Sequence, residues 1–213
     1  APFDSLPGLD FESNPTAAAI VPPPGKVTGT GAVLLVDPAQ NNSFRALNRA
    51  WKAGGTVRHV APAGAKGARY AISGLNDAAT TALVTTLALQ AERAASAAGV
   101  EVKKPRIGLY RPWQPSMDEG WTRWVLEQYG FDYINLAPAD FHGATALADR
   151  IDVLVIADEA RGLMDGFATG VVPPQYAGGI GADGVRAIDT FVRGGGTLVT
   201  FNRGSLFAIE QLH

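Results

Sequence analysis

Three kinds of side chain in this 213-residue chain could do chemistry: carboxylates paired after apolar runs, a serine after the last such run, and three histidines. Asp118 and Glu119 follow Ile107 to Tyr110, and Asp158 and Glu159 follow Val153 to Ala157. If both runs are strands of one sheet, these carboxylates approach one crevice, suited to acid–base work or to a polar ligand. A structural alternative stands beside it: Asp118 caps a helix, and Asp158 and Glu159 pair with Arg111, Arg161 or Arg203. Ser205 ends the stretch Asn202-Arg203-Gly204-Ser205 after an apolar run, where a strand–turn–helix elbow would expose a nucleophile. No motif places a histidine as its base, and it reads first as the cap of a final helix. Neither His59 nor His142 has a glutamate three or four positions away, and His213, three after Glu210, has no second histidine near it, so the paired spacing of a zinc hydrolase is missing. The chain has no cysteine, which removes thiolate metal sites, disulfides and a cysteine nucleophile together.

Aromatic side chains crowd the same edge. Tyr110, Trp113, Trp121 and Trp124 lie close in sequence, and Arg111 with Trp113 could form a platform for a sugar or a peptide. Trp121 and Trp124, at helical spacing, are expected in the core. Trp113, within Arg111-Pro112-Trp113-Gln114-Pro115, is the better contact residue, or an anchor for a neighbouring domain. Gly178-Gly179-Ile180-Gly181 precedes a helix start at Asp183, a place that attracts anions. The acidic cap opposes phosphate there, and the spacing is that of neither a dinucleotide fingerprint nor a Walker loop. Asn41-Asn42-Ser43 is formally a glycosylation acceptor. The candidate ligand-binding set is therefore Arg111, Trp113, Asp118, Glu119, Asp158, Glu159, Asn202 and Arg203, with no catalytic residue, metal ligand or cofactor expected.

Strands must bring those residues together. Prolines at 2, 7, 15, 22, 23 and 24 predict an extended linker over residues 1–30. Residues 31–104 then read as a small α/β segment. Its strands are expected at 32–36, 56–60 and 69–72. Ser43 is expected to cap a helix burying Phe44, Leu47 and Trp51, and Asp77 a long helix that runs through Ala91 and closes at Gly99. Val100 to Val102 could add a strand. Lys103-Lys104-Pro105 looks like a boundary, since a new strand–helix series starts at once. Residues 105–213 show four apolar runs, at 107–110, 133–136, 153–157 and 197–201, alternating with helical stretches. One helix, capped by Asp118, is expected to bury Trp121, Trp124, Val125 and Tyr129. That alternation is the signal of a doubly wound parallel sheet of the α/β class, which binds ligands at the carboxyl ends of its strands. The loop between Gly162 and Gly181 holds six glycines and Pro173-Pro174, and loops of that length are usually functional or disordered.

Composition bounds the partners. Hydrophobic residues at 46% suffice for a sizeable core, and a net charge of −2 gives no electrostatic reason to expect nucleic acid or an anionic membrane. The alanine-rich stretch 78–100 carries Glu92 and Arg93, so no membrane span is expected. The last helix runs to His213 without a glycine cap or a proline stop, which predicts a piece of a longer polypeptide.

Taken together, RIGLYRPWQPSMDEGWTRWVLEQYGFDYINL, the PPQYAGGIG loop and GGGTLVTFNRGSLFAIEQL resemble the C-terminal region of large bacterial zinc carboxypeptidase-like proteins of the carboxypeptidase A type. In those proteins a peptidase domain precedes a region similar to class I glutamine amidotransferases. The resemblance covers residues 31 to the end and implies a flavodoxin-like fold, an upstream peptidase domain as partner, and a periplasmic or secreted location. The family's His-x-x-Glu zinc signature and the amidotransferase cysteine are both absent here, with Asn202-Arg203 near the cysteine's place. The resemblance thus implies a non-catalytic accessory region that binds peptide or cell-wall ligand or packs on the peptidase domain. A small hydrolase using Ser205 or the strand-end carboxylates is the alternative.

Overall fold

Short apolar alternations separated by tight turns build the first half of the chain. In the computed structural model, which describes residues 23–62, 67–114, 116–143, 145–158 and 162–212, they form a six-stranded sheet. Its elements are β1 (Lys26–Gly29), β2 (Val33–Val36), α1 (Asn42–Lys52), β3 (Thr56–Val60), β4 (Arg69–Ser73), α2 (Asp77–Thr86), β5 (Gln90–Ala94) and β6 (Val100–Glu101). The strand order is β1-β5-β2-β4-β3-β6, and only the β1–β5 pair is parallel. The inward residues Leu34, Val36, Val57 and Ile72 pack with Leu47 of α1 and Leu83 and Val84 of α2. β1 lies inside the stretch expected to be linker. The long helix expected to close at Gly99 ends at Thr86, and Asn76 rather than Asp77 caps it, accepting from the Ala79 amide at 2.8 Å. Ala88 turns the chain with φ 51°, and Leu89 and Ala91 are buried on either side of the exposed Gln90, a period of two. The sheet slot between β1 and β2 outweighs alanine's helix preference there.

The second half is a four-stranded parallel sheet of β7 (Ile107–Tyr110), β8 (Tyr133–Leu136), β9 (Val153–Ile156) and β10 (Thr197–Thr200), in the order β8-β7-β9-β10. Every residue of β7 is buried, as expected of a strand covered on both faces. On one face Ile107, Leu109 and Val155 meet Leu126 and Phe131, from α3 (Met117–Tyr129) and the turn after it. On the other, Tyr110, Leu154 and Ile156 meet α4 (Leu147–Arg150), α5 (Gly181–Arg193) and α6 (Gly204–Gln211) through Leu147, Ile188 and Phe207. Gly108 permits this packing, because a Cβ there would lie 2.6 Å from Leu136 Cδ1. The chain is thus mixed α/β, with helices on both faces of a parallel sheet.

The α3 helix departs from expectation in two ways. Ser116, not Asp118, caps it, accepting from the Glu119 amide at 3.3 Å. Trp121, Trp124 and Val125 lie outside, Trp121 being 60% exposed, while Glu119 is the fully buried residue of the helix. The more buried row is Glu119, Arg123 and Leu126, at spacings of four and three, and Leu126 meets the sheet. The tryptophans share the opposite row and touch edge to face at 5.8 Å. Helical spacing gave the stripe but not its direction. Other caps shift as well. Ser43 lies within α1 and donates to the Asp37 carbonyl at 2.7 Å, Asp183 lies within α5 and pairs with Arg186, and Ser205 is the second residue of α6.

The two sheets meet along α1 and α3. Asn48, buried on α1, donates to the Tyr129 carbonyl at 3.0 Å. Asp132, at the end of the turn after α3, takes ion pairs from Lys52 at 3.1 Å and from Lys104.

Candidate functional site

Counted from β7, the parallel strands run in the order second, first, third, fourth. The direction of winding therefore reverses between β7 and β9, and a crevice opens beyond their carboxyl ends. Several segments converge there. The chain after β7 brings Pro112, Trp113 and Gln114, and the start of α3 brings Ser116, Met117 and Asp118. Asp158 follows β9 by two residues. The turn after β10 supplies Arg203, and the loop after β9 supplies Phe167 and Tyr176. Together they line a cleft of about 640 Å³, within the usual range for small-molecule sites.

Arg203 is placed by backbone geometry. Asn202 takes a left-handed φ of 49°, and Gly204 follows so closely against β9 that a Cβ there would lie 2.6 Å from the Ala157 carbonyl oxygen. This is a strand–turn–helix elbow, with a carboxamide at its apex. The turn delivers the Arg203 guanidinium to Asp158 as a two-pronged pair, Nε to Oδ1 at 2.7 Å and Nη2 to Oδ2 at 2.8 Å. The Arg203 amide adds a third bond to Oδ1 at 3.1 Å. Hydrogen bonding to the Arg203 side chain pulls the Asp158 carboxyl down to about 2. Partial burial opposes the shift, while the Arg203 amide, its charge and a hydrogen bond with Asp118 add to it. Asp118 and Asp158 thus lie within hydrogen-bonding reach of each other.

The opposite wall is aromatic. Trp113, 46% exposed, meets Tyr176 with ring centroids 5.3 Å apart and planes inclined at 50°. Tyr176 sits in a single helical turn, Pro174–Tyr176, inside the glycine-rich loop. That loop closes on itself where Gly166 meets Gly179. A Cβ on Gly166 would lie 2.1 Å from the Gly179 nitrogen, and one on Gly179 would lie 2.3 Å from the Met164 oxygen. His142 braces the same loop through Nε2 at 2.9 Å from the Gly179 carbonyl oxygen.

Of the residues expected at this site, Trp113, Asp118, Asp158 and Arg203 line the cleft. Arg111 and Asn202 flank it without lining it: the Arg111 amide donates to the Leu136 carbonyl at 2.8 Å, and Asn202 shapes the elbow. Glu119 turns inward, with Oε2 accepting from Arg123 at 3.1 Å. Glu159 lies outside the described residues, as does Arg161. The pairing of Asp158 with Arg203 matches the structural alternative read from the sequence. Tyr176, Phe167 and Gln114 were missed as contacts. The glycine count between 162 and 181 marked that loop as functional or disordered and could not say which aromatic it presents. Ser205 Oγ accepts from Thr200 Oγ1 at 3.2 Å, an arrangement that supplies no base. Among the described residues, no three His, Asp or Glu side chains converge as metal ligands, and no helix is long and apolar enough to cross a membrane. No family model, curated protein or solved structure matches this chain.

Proposed function

We propose that this chain is a non-catalytic binding region that accompanies a metallocarboxypeptidase-like domain, and that its cleft holds a peptide or cell-wall ligand. The observation that carries the reading is the cleft at the winding reversal, with an aromatic pair on one wall and Asp118 beside the Asp158–Arg203 pair on the other. The side chains present suit holding rather than bond cleavage. The elbow that would present a nucleophile carries Asn202, and Ser205, on the helix that follows, accepts from Thr200 rather than meeting a base. The strand order supports reading the second half as flavodoxin-like and similar to a class I glutamine amidotransferase fold. The carboxypeptidase-type company, and with it a periplasmic or secreted bacterial location, rests on the sequence resemblance.

Isothermal titration with soluble peptidoglycan fragments tests the reading. Binding by the wild-type chain is expected, with loss of affinity in Trp113→Ala at unchanged melting temperature. At a hundredfold excess of ligand over its dissociation constant, the folded state should gain about 2.7 kcal/mol. Release of C-terminal amino acids from peptides by the pure chain, with or without added zinc, would overturn it.

A further inference from the structure

We propose that the cleft takes a neutral oligosaccharide, one ring stacked on the Trp113–Tyr176 wall and its hydroxyls on the wall of Asp118, Asp158 and Arg203. The inference rests on the binding-module reading and narrows the ligand within it to the glycan part of a cell-wall fragment. Charge gives the first argument. Among the described residues that line the cleft, the charged side chains are Asp118, Asp158 and Arg203, and each is engaged within that wall. Arg203 grips Asp158 through Nε at 2.7 Å and Nη2 at 2.8 Å, and Asp118 is hydrogen-bonded to Asp158. An ionic ligand would have to break into that network to be paired, whereas a neutral one need only extend it. A carboxylate accepts through several lone pairs and a guanidinium donates through several N–H groups, and Gln114 adds a carboxamide that does both. Sugar hydroxyls donate and accept at neighbouring ring positions, which matches a wall of mixed donors and acceptors.

The aromatic wall supplies the second argument. Trp113 is 46% exposed although its ring meets Tyr176 at 5.3 Å, so a broad apolar surface stands open to the cleft. The apolar C–H face of a sugar ring covers such a surface and removes it from water. Because the two rings are inclined at 50°, a sugar stacked on one meets the other at its edge. Peptides match the cleft less well. β7 and β9 each have a strand on both sides in the order β8-β7-β9-β10, so a peptide backbone cannot add to either. A proline-rich peptide would suit the aromatic wall but brings few N–H donors to the carboxylates. At about 640 Å³ the cleft is larger than a single sugar ring, which favours an oligosaccharide.

The probes are triacetylchitotriose and cellotriose as neutral oligosaccharides, a sugar-free peptidoglycan stem peptide and a polyproline peptide. Each is titrated into the full chain while the backbone amides of Trp113, Gln114 and Asp118 and the Trp113 indole N–H are followed by NMR. At least one trisaccharide is expected to bind at least tenfold more tightly than either peptide, with an affinity that holds as salt is raised. Trp113→Ala and Tyr176→Ala should each cost that sugar at least tenfold in affinity at unchanged melting temperature, and Trp113→Phe should keep most of it. Peptide binding that equals or exceeds that of both trisaccharides, or a folded Trp113→Ala chain that holds the sugar undiminished, overturns the inference. If the stem peptide or an intact peptidoglycan fragment moves the cleft resonances and neither trisaccharide does, the oligosaccharide is wrong and the binding-module reading stands. If no probe and no peptidoglycan fragment moves them, both fall.

Discussion

At the scale of single residues, the site turns on Asp158 and its partner. The carboxyl is held near pH 2 in the folded chain, below the ordinary aspartate value of about 3.9. A depressed folded-state value means the pair stabilises the fold fully above the unfolded value, and that its contribution fades as pH falls from about 4 towards 2. Denaturant unfolding at several pH values should therefore show Asp158→Asn losing less stability than wild type across that interval. Parallel curves would show that the pair does not form. Arg203→Ala should return the Asp158 carboxyl towards the ordinary range, which carboxyl-carbon NMR can follow. The pairing was legible because both residues end predicted strands of one sheet. The burial of Glu119 was not, since Asp118 and Glu119 are adjacent, and only the direction of the helix decides which one faces the sheet.

At the scale of elements, the cleft depends on a loop held by glycine. Gly179 has φ 55°, and a Cβ there would meet the Met164 carbonyl at 2.3 Å, so Gly179→Ala must move backbone. A cost of about 1–3 kcal/mol is expected from that strain. Ligand affinity should fall as well, because the same loop carries Tyr176 to Trp113. Chemical denaturation and titration on one sample separate the two effects, and unchanged affinity would mean that Tyr176 is no part of the wall. The strands at 107–110, 133–136, 153–156 and 197–200 were readable from their apolar runs and from the helices between them. The change from α2 to β5 was not, because an alanine-rich stretch satisfies helical spacing and strand alternation alike. The outward face of α3 was misread for a related reason. A stripe of Trp121 and Trp124 looks like core until the competing row is seen, with Glu119 buried and Leu126 packed against β7.

At the scale of the whole molecule, two sheets share one helical seam, and each has its own apolar core. Leu154 lies fully buried in β9, in the core that the sheet shares with α4, α5 and α6. Leu154→Ala is expected to cost about 2–5 kcal/mol, and thermal unfolding measures it. Sheet membership changes between β6 and β7, on either side of Lys103-Lys104-Pro105. The mostly antiparallel order of the first sheet was not legible, since it depends on which distant strands pair and no short sequence window reports that. The central claim, that the crevice beyond β7 and β9 is where this chain binds, is tested most directly by mapping amide shifts over the whole chain while peptidoglycan fragments are added. The account requires saturable shifts concentrated at 110–118, at 158, at 176 and at 203. Saturable shifts centred on another face, such as the exposed Trp121 and Trp124 row, or no shifts at all, would contradict it.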